Sequence, residues 1–144
     1  MKVVIALGSN LGDRHVTLDA AVEALRAIIT VKAVSTYIES APVGGPEQPD
    51  YLNAVLLGES DLAPEVLLEQ MQLIESKAGR ERIERWGART LDLDLIIAGE
   101  IIQESEFLTL PHPRAHERRF VLDPWLELDP AATLPGFGEV RLLP

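Results

Sequence analysis

The sequence contains no cysteine, which excludes disulfides, thiolate nucleophiles and cysteine-ligated zinc as sources of its stability or chemistry. Positive charge is short: 13 Lys and Arg stand against 23 Asp and Glu, for a net charge of −10. That balance argues against a nucleic-acid binder, whose footprint is a basic domain. No run approaches the roughly 20 apolar residues of a membrane helix. The start, MKVVIALGSN, also lacks the longer apolar stretch of a secretory signal, so a cytoplasmic protein with no membrane partner is expected. Aromatic residues are few, with two Trp, two Tyr and three Phe in the chain.

What is present fits one domain, residues 1–144, large enough to bury a sizeable core. The 47% hydrophobic and 25% charged content is ordinary for a globular chain. The scarce basic residues are gathered: Lys77, Arg80, Arg82, Arg85, Arg89, Arg114, Arg118 and Arg119 all fall between positions 77 and 119. Such a cluster in an acidic protein points to a local pocket for a small polyanion.

Periodicity orders the chain. Lys2 to Leu7 reads as a buried strand running into a turn at GSNLGD. That glycine-containing segment lacks both the Gly-Lys-Ser/Thr of a P-loop and the three-glycine dinucleotide fingerprint, so it is assigned a turn role. Asp13 can cap a helix from about Arg14 to Ile29, along which Val16, Leu18, Ala21, Val22, Leu25, Ile28 and Ile29 recur at helical spacing. The β-branched stretch Val31 to Ser40 predicts a second strand. A loop rich in proline and glycine, Ala41 to Asp50, leads to a third strand at Tyr51 to Glu59, antiparallel to the second, in which Tyr51 and Asn53 share a face.

Asp61 and Pro64 mark a second helix with Leu67, Leu68, Met71, Ile74 and Ala78 as its stripe, ended by Gly79. On it, Gln72 and Glu75 point to similar sides. After the fourth strand, which ends at Gly99-Glu100, a short return strand at Ile101-Ile102, a helix from Glu117 to Leu126 and a small strand at Glu139 to Leu143 are expected. The order strand, helix, strand, strand, helix, strand is that of a ferredoxin-like split βαβ fold. The fold class is therefore α+β, with a mainly antiparallel sheet, helices on one face, and an extra C-terminal helix and small strands.

The stretch with chemistry in it is RWGARTLDLDL, Arg85 to Leu95. Side chains alternate along a strand, so Leu91, Leu93 and Leu95 share one face while Asp92 and Asp94 share the other, roughly 6.6 Å apart. Alternating Leu and Asp also describes any half-solvated antiparallel strand. The preceding arginines favour a site: Mg²⁺ takes one or two carboxylates and completes its shell with water and phosphates, and guanidinium groups bind phosphate oxygens bidentately.

This segment resembles the signature of the hydroxymethyl-dihydropterin pyrophosphokinase family, folate-pathway enzymes that move a pyrophosphoryl group from ATP to a pterin alcohol. The resemblance extends to GSNLGD at Gly8 to Asp13, QPDYLNAV at Gln48 to Val55 and LPHPRAHERRFVLDP at Leu110 to Pro124. It implies that Asp92 and Asp94 hold two Mg²⁺ ions and that Arg80 and Arg89 act in catalysis and face the ATP phosphates. By the same resemblance His112 and Arg118 contact the nucleotide phosphates, and Gln72, Glu75 and Thr109 lie near ATP.

For the pterin, the family match implies a sandwich between Tyr51 and Phe120, an edge contact from Asn53, backbone contacts at Ser40 and Val43, and Trp86 in a cover over the site. His15 and His116 are left as surface residues. Phe107 stands where relatives carry a basic residue, and Pro113 follows His112 where an aromatic is common. The implied partners are ATP and a pterin, with no nucleic acid, and the chain is expected to act as a monomer. Two rival readings fit the residues less well. A ligand-sensing module of the same fold leaves the two acids facing arginines unexplained, and the acidic net charge and the aromatic pair disfavour a metal-dependent nuclease or phosphohydrolase.

Overall fold

The computed structural model describes residues 1–42, 47–79 and 90–144. The first apolar run forms β1 (Lys2–Ser9), the hub of the sheet, because it is flanked on both edges by antiparallel partners. Helix α1 (Arg14–Arg26) follows, its first turn capped by Asp13, whose carboxylate accepts from the Val16 amide at 3.1 Å. It ends at Arg26 rather than at Ile29; Ile29 instead leaves the helix and is buried beneath the sheet.

The expected second strand is two strands, β2 (Thr30–Val34) and β3 (Ile38–Ser40), both antiparallel to β4 (Tyr51–Glu59). The break has a chemical cause. Ser35 donates its amide to the Val55 carbonyl at 2.9 Å, and its hydroxyl accepts the Val55 amide at 2.9 Å, so a side chain stands in for a backbone carbonyl. At the next residue, Glu127 accepts from both the amide and the hydroxyl of Thr36, which draws the chain away from the ladder.

Helix α2 (Pro64–Lys77) carries Pro64 in its first turn and stops at Gly79, which has a φ of 76°. Strand β5 (Asp92–Ala98) then lies at the edge of the sheet, in the order β2-β4-β1-β5. This is the order and antiparallel sense expected of the split βαβ arrangement. The return strand is displaced: β6 (Gln103–Glu104) pairs with β7 (Thr109–Leu110), while Ile102 stays exposed. Beyond it, a short 3-10 turn at Ala115–Glu117 leads into α3 (Arg119–Leu128). The expected C-terminal strand is replaced by a two-residue hairpin, β8 (Thr133–Leu134) with β9 (Gly138–Glu139), and a 3-10 turn at Val140–Leu142.

Two cores result, one on each face of the sheet. Helices α1 and α2 cover the first face, packing Leu18, Leu25, Leu67 and Met71 against Val3, Ile5, Leu7, Leu91, Leu93 and Leu95. Each such side chain taken from water contributes roughly 1.5–3 kcal/mol. The extra C-terminal helix covers the other face, where Val121, Leu122 and the fully buried Trp125 meet Val4, Val55, Ile96 and Ile97. His116 is no plain surface residue; its ring stacks on Phe137 at 4.4 Å and its Nδ1 is buried. His15 is exposed, as expected. No helix among the described residues is long and apolar enough to cross a membrane.

Candidate active site

Helix α3 covers only part of its face of the sheet, and the uncovered part is the candidate site. Along β1 that face reads Val4, Ala6, Gly8, so side-chain size falls to nothing as the strand leaves the shelter of α3. The register then sets the neighbours: Gly8 lies between Asn53 of β4 and Asp92 of β5, and Ala6 lies between Val55 and Asp94. A cavity of about 370 Å³ opens over this floor. A Cβ at Gly8 would stand 3.4 Å from both Asn53 Oδ1 and Tyr51 Cδ1, so the glycine keeps the floor low beneath those two side chains. The sequence reading placed Gly8 and Ser9 in a turn; both belong to β1, and the turn proper begins at Asn10.

One wall of the cavity carries an amide and two aromatic rings. Asn53 is buried and donates from Nδ2 to the Ser40 hydroxyl at 2.6 Å, which orients its amide. Tyr51, one strand turn away on the same face, reaches its hydroxyl toward Asp92 Oδ2 at 3.4 Å. Phe120, in the first turn of α3, also lines the cavity, and the Arg118 guanidinium carbon lies 5.5 Å from its ring centroid. The rim is tied back by Asn10, which donates to Gln48 Oε1 at 2.8 Å and to the Pro49 carbonyl at 3.0 Å.

The other wall is charged. Asp92 and Asp94 both face the cavity, while Leu91, Leu93 and Leu95 turn into the core. Asp94 lies 3.9 Å from Arg118 and 3.8 Å from His112 Nε2, longer than hydrogen bonds but within reach of electrostatic attraction. His112 is held there by a bulge. Val4 pairs with Ile97 and Ile5 with Leu95, which leaves Ile96 as the extra residue on β5, and the Ile96 carbonyl accepts the His112 amide at 2.9 Å.

Burial holds the His112 imidazole below the usual histidine range; Asp94 pulls it up, whereas Arg118 and Arg114 push it further down. The ring is therefore neutral at neutral pH. Its Nδ1 accepts the Arg114 amide at 3.2 Å, so its proton sits on Nε2, the nitrogen that faces Asp94.

Of the residues expected from sequence, eight meet at this cavity: Ser40, Tyr51, Asn53, Asp92, Asp94, His112, Arg118 and Phe120. Gln72, Glu75 and Thr109 do not line it. Gln72 is exposed on α2, Thr109 is half-buried on β7, and the Glu75 carboxyl is buried under β5. Val43, Arg80, Arg82, Arg85, Trp86 and Arg89, together with the cover assigned to the stretch they occupy, lie outside the described residues. The sequence reading missed Ala6 and Gly8 as lining residues, while Arg114 lines the cavity as a member of the basic cluster. A fall from Val to Ala to Gly along one strand face was the available signal for the first two.

Residues 4–130 match the family described as 7,8-dihydro-6-hydroxymethylpterin-pyrophosphokinase. A protein of Haemophilus influenzae named 2-amino-4-hydroxy-6-hydroxymethyldihydropteridine pyrophosphokinase is 44% identical over 134 residues, covering 92% of this chain and 84% of its own length. Proteins of the same name from Bacillus subtilis and Mycobacterium leprae are 46% and 43% identical, covering 86% and 97% of this chain and 75% and 78% of their own lengths. With matches along most of its length, this chain belongs to the 7,8-dihydro-6-hydroxymethylpterin-pyrophosphokinase family.

Proposed function

We propose that this chain transfers the pyrophosphoryl group of ATP to the hydroxymethyl group of 6-hydroxymethyl-7,8-dihydropterin, giving AMP and the pterin diphosphate in folate biosynthesis. The observation that carries the reading is that a single cavity floor serves two chemistries, an amide and two aromatic rings on one side and two carboxylates with an arginine and a histidine on the other. In this reading the pterin lies between Tyr51 and Phe120, with its polar edge toward Asn53 and Ser40. Stacking and edge hydrogen bonds are what hold a flat heterocycle in an otherwise apolar slot. Val43 and Trp86 complete the pterin side.

Phosphoryl-type transfer needs alignment and charge neutralisation more than covalent help. The pterin hydroxymethyl oxygen attacks the β-phosphorus, the bond from that phosphorus to the bridging oxygen of the α-phosphate breaks, and AMP leaves with that oxygen while the hydroxyl proton passes to solvent. Arg118, the Nε2 proton of His112, Arg80 and Arg89 hold phosphate oxygens, and Gln72 and Thr109 belong to the nucleotide side.

Asp92 and Asp94 suit a hard cation. Among the described residues no group of three or more His, Cys, Asp or Glu side chains is arranged to cage a metal alone. Two carboxylates on an open strand face match a metal whose remaining ligands are water and substrate phosphates. Two Mg²⁺ ions bound there would supply neutralisation of charge on the attacked and leaving groups. The protein acts as a monomer in the cytoplasm, with the whole activity in one domain spanning residues 1–144.

Separating the nucleotides after incubation with Mg²⁺, ATP and the pterin tests the reading. AMP that appears only when the pterin is present supports it; ADP, or AMP formed equally well without the pterin, overturns it. The floor gives a second test. Gly8→Val pushes methyl groups between Tyr51 and Asn53, and overpacking of this kind costs about 1–3 kcal/mol. Where that cost falls on the bound ligand, the KM for the pterin rises by roughly 10-fold or more and the KM for ATP changes much less. Equal KM values in wild type and variant would place the pterin elsewhere.

A further inference from the structure

Helix α2 carries its buried stripe at Leu67, Met71 and Glu75, one position in every four, so a carboxylic acid occupies the place that helical spacing reserves for an apolar side chain. Glu75 is only 6% exposed. Burying a polar group there is costly unless it is hydrogen-bonded, and the bond it makes is specific: Glu75 Oε2 accepts the Leu93 amide at 2.8 Å.

The donor is significant. Among the described residues strand β5 is an edge strand, paired to β1 on one side, and on such a strand alternate amides face outward with no ladder partner. Leu93 is also the residue between Asp92 and Asp94. Its side chain is buried in the first core, so the two aspartates on either side face the cavity.

We propose that Glu75 is a positioning residue for pyrophosphoryl transfer, its buried carboxyl holding the outward amide of Leu93 and thereby fixing the peptide units that aim Asp92 and Asp94 into the cavity. This rests on the reading of the two aspartates given above. It assigns Glu75 a role different from contact with the nucleotide, because its carboxyl acts through β5 on the opposite face of the strand. Without the bond, the outward side of this segment loses that anchor while the ladder to β1 remains, and the aim of the two aspartates loosens. Reacting groups displaced by about 1 Å lose on the order of 100-fold in rate.

The test compares wild type with Glu75→Leu, which suits the apolar stripe but leaves the amide unpaired, and Glu75→Gln, which keeps an acceptor oxygen. Glu75→Met, close to glutamate in length, serves if the leucine variant does not fold. Turnover is measured well below the melting transition of each protein, alongside hydrogen exchange of the Leu93 amide, which needs no substrate or metal. In the leucine or methionine variant kcat falls by roughly 10- to 100-fold with the KM for ATP within about 3-fold of wild type, while the glutamine variant stays within about 3-fold in both. Leu93 exchange accelerates only where the acceptor is lost.

Undiminished kcat in the apolar variant, a rise confined to the KM for ATP, or a glutamine variant as impaired as the apolar one overturns the proposal. Failure of the site reading looks different. The wild type itself then makes no pterin-dependent AMP, Leu93 exchange notwithstanding, and the positioning role falls with it.

Discussion

Alanine at Asp92 or at Asp94 abolishes pterin-dependent AMP formation while leaving the fold in place. The separation follows from the strand. Leu91, Leu93 and Leu95 supply the core contacts of this segment, and the two aspartates project from the other face, so neither substitution opens a cavity in the core. What is lost is charge: metal-assisted neutralisation provides several kcal/mol in phosphoryl-type transfer, which corresponds to about 1,000-fold or more in rate.

Stability responds to two opposed and modest effects. Removing either acid relieves repulsion between like charges on one strand face. Asp94→Ala also removes the carboxylate that faces Arg118 and His112 at 3.9 and 3.8 Å. Contacts of this exposed kind are worth about 0–1 kcal/mol, so both variants melt close to wild type, with Asp92→Ala the more stable of the two. Near-normal Mg²⁺-dependent turnover in either variant would remove these residues from the site, and a large loss of melting temperature would mean that the strand depends on them structurally.

Phe120→Ala produces the second large loss. In the proposed site the ring is one face of the pterin slot and also lies under the Arg118 guanidinium, so truncation removes stacking and loosens a phosphate-facing cation together. Burial of the ring and its stacking contribution add to about 2–3 kcal/mol, or roughly 30- to 150-fold in kcat/KM for the pterin. Phe120→Tyr retains most of the activity, because the ring face is kept. Melting falls little, since Phe120 only borders the second core that Trp125 and Leu122 fill. A Phe120→Ala enzyme with an unaltered pterin KM and kcat would mean that the aromatic wall is elsewhere.

The two aspartates were legible because a strand has a fixed period of two: once Leu91, Leu93 and Leu95 are assigned inward, Asp92 and Asp94 have one place to go. Tyr51 and Asn53 followed from the same rule on β4. The bulge at Ile96 was not legible, since Leu95, Ile96, Ile97 and Ala98 are all apolar and both faces of the sheet are covered, so no alternation marks the extra residue. Yet that bulge positions His112. The break at Ser35 was hidden for a related reason: the surrounding residues favour strand, and the hydroxyl that replaces a ladder carbonyl is paired to Val55, 20 positions away.

The buried place of Glu75 was not legible: the sequence set it beside Gln72 on the nucleotide side, its partner amide belongs to another element, and backbone partners leave no mark in side-chain periodicity. The second core depends on α3 crossing to the far face, a choice fixed by long-range packing rather than by the helix's own pattern.

The most direct measurement follows the terminal phosphate. ATP radiolabelled at its γ-phosphorus is incubated with the protein, Mg²⁺ and 6-hydroxymethyl-7,8-dihydropterin, and the pterin product is isolated and its phosphorus signals are recorded. The account predicts that the label moves to the pterin in step with AMP release, and that the product shows two mutually coupled phosphorus resonances, the mark of a diphosphate ester made in one transfer. Label recovered in a pterin monophosphate with ADP, or released as inorganic phosphate or pyrophosphate whether or not the pterin is present, would contradict it.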